Sequence, residues 1–443
     1  MRNKIRQPSI KTCKILLFAF LFIGLIGTPK AFAFFQDIQE QEMEYKQYKG
    51  KIMDADTKNP LVFATLSVEN TNISIISNTD GEFVLKVPST MESGNVTVTF
   101  LGYRTKTIPL SEFSEDKNKI YMDVFVEALS EVSLSIPKDA EELVRETLNR
   151  KGQNYFNDPT LMTAFYRETI KKRKKNVSLS EAVVNIYKAP YNSSKNDGIT
   201  LYKARKSTDY SKLDTIALKL QGGPFNTLHV DVMKYPEYIF HENALDYYDF
   251  KFERSTRIDN RQIYVIKFNQ KPNITHQLYT GQLFIDPERK ILTSAIYELN
   301  ITNKYEAAKL FVRKKPANAR VWPTKVAYRV DYREKDNKWY YGYSNVLLEF
   351  KIDWDKKLFN SVYSLSCEMA VTDWEKNLTD DMPKARERIK ASIILEDEAV
   401  GFSDPDFWGE YNIIEPEKSI ESAIKKIQRQ LKKSNTNEGS TAP

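Results

Sequence analysis

The chain is poor in the residues that catalysis and cross-linking usually recruit. It holds two cysteines and three histidines in 443 residues. Cys13 lies upstream of an apolar run, so it cannot be a lipidated residue following that run, and Cys367 is left with no partner for a disulfide inside the mature chain. Between Ser366 and Glu368 in a strand-like stretch, Cys367 reads as a small half-buried side chain. His229 is followed by Val230-Asp231-Val232 and His241 by Glu242-Asn243-Ala244; these two, and His276, lack the His-x-x-Glu or His-Glu-x-x-His spacing that converges two zinc ligands from one element. The 15 glycines are scattered. They form no phosphate loop and no Gly-x-Ser-x-Gly elbow, and Gly222-Gly223-Pro224 has no serine within reach. Asp380-Asp381, and Asp404 with Asp406, lack the alternating ligand ladder of a calcium loop and read as turn residues. No residue is therefore assigned a catalytic, cofactor-binding or metal-binding role, and no cofactor is expected.

Long apolar runs are also scarce. Ile15 to Ile26 spans twelve residues, short of the roughly twenty that a membrane-crossing helix needs. Arg2, Lys4, Arg6, Lys11 and Lys14 precede it and Ala31-Phe32-Ala33 follows, which is the pattern of a signal peptide over residues 1–33 cleaved after Ala33. This segment carries six of the 66 basic residues and none of the 59 acidic ones, so the remainder is within one charge of neutral. The electrostatic footprint of nucleic-acid binding is missing once the leader is removed.

Hydrophobic alternation is abundant, and clearest between Tyr48 and Glu127. Gly50 to Asp54 opens a strand, and Asp54 to Pro60 is turn chemistry leading into a strand from Leu61 to Val68. Asn78-Thr79-Asp80-Gly81 supplies a tight turn before Glu82 to Pro88. Asn95 to Phe100, Leu101-Gly102-Tyr103-Arg104 and Ile120 to Val126 follow. Short strands with no helical period between them indicate a small β-sandwich. Gly50, Asp54, Pro60-Leu61, Ala64-Thr65, Thr79-Asp80-Gly81, Phe83 and Phe100-Leu101-Gly102-Tyr103 together resemble the carboxypeptidase-regulatory-like family. That resemblance implies a transthyretin-like sandwich of envelope proteins in Gram-negative bacteria. It implies an accessory domain and no activity.

The chain as a whole reads as mainly β, α+β in class: signal peptide 1–33, lead-in tether 34–47, sandwich 48–128, a larger antiparallel α+β domain 138–433 and a disordered tail 434–443. Asp139 to Arg150 has helical period with acids in its first turn. From Leu161 to about Trp374 long aromatic and β-branched strands follow one another, which predicts a single curved antiparallel sheet. The basic run Lys171 to Lys175 reads as a solvated hairpin tip, with contact to an anionic surface as the alternative. Lys384 to Lys390 reads as a short helical turn, Ser403 to Asn412 as a loop docked through Phe407-Trp408, and Pro416 to Lys433 as an amphipathic helix that packs on the body or lies on a membrane. Asp214-Thr-Ile resembles an O-glycosylation sequon. A helix followed by such a meander is similar in architecture to the half-barrels that carry lipoproteins and lipids, with the aromatic face of the sheet as the place for an apolar ligand or as plain core.

These readings converge on an exported envelope protein, periplasmic or associated with the outer membrane, with a non-enzymatic recognition or carrier role and an envelope protein or an apolar ligand as partner. The alternatives are a hydrolase whose carboxylates meet only in the fold, and a periplasmic accessory to an outer-membrane transporter or secretion system.

Overall fold

The computed structural model describes residues 44–127, 139–173, 175–208, 222–240, 244–258, 261–311, 317–355, 358–401 and 407–416. The chain divides into Met1–Glu42 and a compact unit, Met43–Pro443, which holds all the described residues. The signal peptide, Cys13, most of the tether, the stretch Leu129 to Pro137 that alternates as a strand or linker, Asp214, His241, Asp404, Asp406, the final helix beyond Pro416 and the tail all lie outside the described residues.

Seven strands build the sandwich: β1 (Tyr45–Asp54), β2 (Thr65–Val68), β3 (Ser74–Ile76), β4 (Glu82–Pro88), β5 (Asn95–Thr99), β6 (Lys106–Pro109) and β7 (Asn118–Met122). They form a three-stranded sheet, β4-β1-β7, and a four-stranded one, β3-β2-β5-β6. Alternate residues of each strand point inward, and Ile52, Leu66, Phe83, Leu85, Val96, Val98 and Ile120 make its core. The second strand starts at Thr65 and not at Leu61, because Phe63 adopts a left-handed backbone, φ 64°, which breaks the extended run. In the Asp80-Gly81 turn, Gly81 has φ 75°, and a Cβ there would stand 2.6 Å from the Ile52 carbonyl. Two residues that carry the family resemblance meet in space. The Tyr103 hydroxyl donates to Asp54 Oδ2 at 2.6 Å, and this bond, with backbone N–H donors from Thr57 and Asp56, holds the Asp54 carboxyl down to about 2.

The second sheet has ten long strands and a two-residue strand at each edge. In chain order these are β8 (Val126–Glu127), β9 (Thr160–Lys172), β10 (Lys175–Lys188), β11 (Gly198–Thr208), β12 (Tyr248–Ile258), β13 (Arg261–Gln270), β14 (Tyr279–Asp286), β15 (Ile291–Leu299), β16 (Ala319–Lys335), β17 (Lys338–Trp354), β18 (Ser361–Lys376) and β19 (Val400–Gly401). Their spatial order is β19-β11-β10-β9-β18-β17-β16-β15-β14-β13-β12-β8. Every pairing in this curved sheet is antiparallel except β11 with β19. Pro323 is tolerated inside β16 because β15 pairs only with Ala327 to Asp331, so the missing N–H faces no ladder. Among the described residues five α-helices accompany the strands: α1 (Ala140–Asn149), α2 (Lys151–Asn154), α3 (Phe225–Leu228), α4 (Lys304–Phe311) and α5 (Leu395–Glu398). The α1 N-terminus is capped by Asp139, which accepts from the Glu141 N–H at 3.0 Å, and Leu143, Val144 and Thr147 form its buried face. Lys384 to Lys390 forms a hydrogen-bonded turn in place of a helical one.

Four charges lie side by side on one face of this sheet. Register sets Glu368, Arg167, Glu181 and Arg205 on β18, β9, β10 and β11 opposite one another. Arg167 is 2% exposed and Glu181 0%. Arg167 meets Glu181 at 2.7 Å and Glu368 at 3.2 Å, and Arg205 meets the other Glu181 oxygen at 2.8 Å. Burial alone would raise the Glu181 carboxyl, but the two guanidiniums hold it below its usual range. Residues 407–416 cover the row: Arg167 Nη2 donates to the Ile414 carbonyl at 2.6 Å, and Arg205 lies over the Trp408 ring at 4.7 Å. The same segment holds the sandwich. Asn412 accepts from the Lys86 N–H at 2.8 Å and donates to its carbonyl at 3.0 Å, pairing with the edge strand β4 as a backbone would.

Arg167→Met should lower unfolding stability by about 3 kcal/mol, because it takes one of two cationic partners from the buried Glu181 and the donor from the Ile414 carbonyl. Arg320→Met removes an exposed partner of Asp353 and should change stability by less than about 1 kcal/mol. Urea titration of both variants checks this, and equal losses would contradict the role given to the row.

Candidate functional site

The two faces of the large sheet differ in what covers them. One face is the aromatic one, and it is filled by the chain itself. α1 and residues 225–240 and 244–248 lie on it, and Tyr155, Tyr191, Tyr248, Tyr297, Tyr332 and Tyr341 are all buried there. The gap between Val144, Leu148, Val232, Phe240, Leu283 and Leu292 measures about 10 Å³, close to the room of one water molecule. A buried polar cluster fastens the covering segment. The Lys188 ammonium contacts Asp197 at 2.6 Å and Asp231 at 2.8 Å, while Tyr191, Tyr332 and Tyr235 donate to the same two carboxylates at 2.8 to 3.0 Å. Burial would push the ammonium down, yet the two carboxylates keep it above its usual range. A lysine held protonated in this way is a fixed cation and not a nucleophile.

The opposite face meets the sandwich, and there a cleft of about 370 Å³ remains. Thr65, Ser67, Thr97 and Thr99 line it from the sandwich sheet, where strand alternation turns them away from the apolar core. Arg329, Asp331 and Arg333 line it from β16. Leu101 of the Phe100-Leu101-Gly102-Tyr103 stretch closes one end by packing on Ile263, Val265 and Phe284.

The acidic side chains in this cleft are already engaged. Asp331 takes Arg329 at 2.8 Å and the Ser294 hydroxyl at 2.6 Å, and Glu69 takes Asn95 at 2.9 Å and Thr97 at 2.8 Å. Two donors are not engaged. Arg333 is 8% exposed; its Nη1 donates to Ser74 Oγ and to the Val371 carbonyl at 2.7 Å, but its Nη2 makes no hydrogen bond. The Tyr340 hydroxyl stands near enough to couple to it electrostatically, and burial pushes the guanidinium below its usual range. The Trp339 indole N–H, also on the cleft, has no acceptor. Room for Arg333 comes from Gly342, the extra residue where the register with β16 shifts; a Cβ there would stand 2.7 Å from Arg333 Cγ.

The residues weighed in the sequence sit apart from this cleft. His229 lies among Phe225, Tyr235 and Tyr238, stacked on the last at 5.2 Å, and burial lowers its imidazole. His276 is edge-on to Tyr247. Asp380 pairs with Lys195 at 2.8 Å on the surface, and Asp381 is exposed. Cys367 is 2% exposed, fully buried where half-burial was expected, and burial pushes its thiol up. Among the described residues no group of three His, Cys, Asp or Glu side chains gathers to hold a metal ion. No helix among them is long and apolar enough to cross a membrane. Sequence reading also passed over Glu168, which looks like an ordinary strand residue. It is buried beside Tyr166, whose hydroxyl donates to it at 2.9 Å, and beside Glu396 of α5; burial first, then the Glu396 charge, pushes its carboxyl up to about 8.

Comparison with known proteins agrees with the sandwich. Residues 48–133 match the family model described as the CarboxypepD_reg-like domain, a span that contains every residue carrying the resemblance from Gly50 to Tyr103. No curated protein matches the chain by sequence. Among solved structures, a DUF1329 family protein from Desulfovibrio piger is 10% identical, over 58% of this chain and 100% of that one, with a TM-score of 0.25. A putative outer membrane lipoprotein-sorting protein domain from Vibrio parahaemolyticus is 9% identical, over 55% and 94%, at the same TM-score. Lipovitellin is 8% identical over 53% of this chain and 27% of its own, also at 0.25. The likeness to these proteins is loose.

The buried Glu168 carboxyl binds its proton more tightly in the folded chain than in the unfolded one. Its stabilising contribution is therefore full below its ordinary value near 4.5 and is lost as pH rises to about 8. Glu168→Gln keeps the neutral shape and should remove this decline, so that the wild type loses on the order of a few kcal/mol relative to the variant between about pH 5 and pH 8.5. Denaturant midpoints across that range test it; parallel curves would refute a buried neutral acid at this position.

Proposed function

We propose that the chain is an exported protein of the cell envelope, periplasmic or associated with the outer membrane, with a non-enzymatic binding role exercised at the cleft between the sandwich and the large sheet. One observation supports this reading most. The cleft keeps one nitrogen of a buried guanidinium, Arg333 Nη2, and the Trp339 indole N–H without hydrogen-bond acceptors, while the aromatic face that would hold an apolar cargo is occupied by the protein's own side chains. An oxygen-rich polar group with acceptor atoms, a carboxylate above all, complements such a wall, because a donor left without an acceptor in a buried site costs about 1 to 3 kcal/mol. The engaged state of Asp331 and Glu69 leaves neither as a free general base, and this favours binding over hydrolysis at the cleft. Export rests on the leader pattern of residues 1–33, and the envelope setting on the family resemblance of the sandwich.

Native mass spectrometry of the protein purified without detergent from its own envelope tests the reading. A mature chain beginning at Phe34 with a bound polar species, lost in a Ser67→Trp variant that fills the cleft, is the expected result. A bound acyl species retained in that variant would transfer the role to the aromatic face.

A further inference from the structure

One end of the large sheet combines exposed apolar side chains with a collar of positive charge. β9 and β10 are joined there by a tight turn in which Lys172 pairs with Lys175 and Arg173 has φ 55°. Register fixes the height of this turn against its neighbour. Lys172 pairs with Tyr363 of β18, and the Arg173 N–H donates to the Val362 carbonyl at 2.8 Å. Lys351 of β17 pairs with the same Val362 and is exposed. Lys171, Lys172, Arg173, Lys175 and Lys351 thus stand at one level. Asp353 is paired with Arg320 at 2.6 Å, Glu349 stands level with Lys171 across Ser364, and Asp355 is an exposed acid of this end; against these three acids stand Arg320 and the five collar cations, so the collar keeps a positive excess.

Beyond that level the hairpin between β17 and β18 continues outward to Leu358, 90% exposed, and Phe359, 74% exposed. Phe359 precedes Val362 by three residues and Leu358 by four, so at a ceiling of about 3.3 Å per residue the apolar pair lies no more than about 10 to 13 Å past the basic collar. Amphipathic surface elements enter the boundary between lipid headgroups and acyl chains to a depth of about 5 to 10 Å, with their cations among the phosphates. A globular protein gains nothing from holding Leu and Phe side by side in water at a loop tip.

We propose that this end of the sheet docks on an anionic lipid bilayer, with Leu358 and Phe359 entering the interface and the collar meeting the headgroup phosphates. The site is separate from the cleft and independent of what binds there. An acidic protein surface would engage the collar but offers no reason for an apolar tip to project beyond it.

The test uses the chain beginning at Phe34, which keeps the compact unit Met43–Pro443 whole. It is sedimented with vesicles of phosphatidylcholine containing about one-third phosphatidylglycerol, and with vesicles of phosphatidylcholine alone. Binding to the anionic vesicles should exceed binding to the neutral ones by about tenfold or more and should weaken with added salt. The double variant Leu358→Ser, Phe359→Ser and the double variant Arg173→Glu, Lys175→Glu should each lose about tenfold. All four positions are exposed or at a turn, and unchanged thermal unfolding of the variants confirms that they fold. A Phe359→Trp variant should show a blue-shifted emission on adding anionic vesicles. No binding, equal binding by all variants, or binding that survives the apolar substitution with no emission shift would overturn the proposal.

Discussion

A row of alternating charge, Glu368-Arg167-Glu181-Arg205, runs across four neighbouring strands, and much of the remaining architecture depends on it. Four ionised groups removed from water carry a heavy desolvation cost, which only mutual pairing and complete hydrogen bonding can offset. The row satisfies itself laterally through strand register and vertically through residues 407–416, whose Ile414 carbonyl and Trp408 ring complete the coordination of the two arginines. Because that segment also pairs with the edge of β4 through Asn412, the ionic row fixes where the sandwich sits. Cleft geometry follows from that placement. Arg333 reaches Ser74 of the sandwich and Val371 of the sheet from one guanidinium, and the space beside it is what the two surfaces leave open.

The sheet assigns its polarity unequally. On the aromatic side, the tyrosine hydroxyls and the Lys188 cluster are turned inward to each other, and the apolar bodies of the rings fill the volume that remains. On the sandwich side, hydroxyl-bearing positions of two facing sheets are kept apart by the Leu101 contact and by the Arg333 span. One side therefore works as a core and the other as a wall of donors and acceptors.

Much of the fold was legible in the sequence. The sandwich strands announced themselves through alternation and through Asp-Gly and Asn-rich turns, and the long strands of the second sheet through runs of aromatic and β-branched residues. α1 was legible from its period and from the acidic residues at its start, of which the structure makes Asp139 the cap. Local signal failed in definite places. β11 reads as a scatter of polar and aliphatic residues, and α4, although Asn303 caps it, is only eight residues long, too short for a clear helical period. Phe63 looks like strand interior and takes a left-handed backbone. The cleft was not legible at all. Arg333 sits in Asp-Tyr-Arg-Glu-Lys, which resembles a solvated strand end, and its partner Ser74 is 259 residues away. Gly342 carries meaning only once the bulge opposite β16 is known. The basic run was read as a hairpin tip, which it is, but its neighbour Phe359 on the next hairpin lies far along the chain.

The 407–416 segment has one further consequence, which concerns order in time. It supplies contacts to Lys86, Asn78 and Arg167, so these earlier-made surfaces are finished by residues that follow them by 326, 337 and 247 positions. Until then the β4 edge stands unpaired, Ile76 and Phe63 lack part of their cover, and the buried arginine lacks an acceptor. An interrupted chain would thus display a bare strand edge next to an uncovered cation, a surface that differs in kind from that of the finished protein. Translation as far as this segment is written into the molecule as the closure of a single strap.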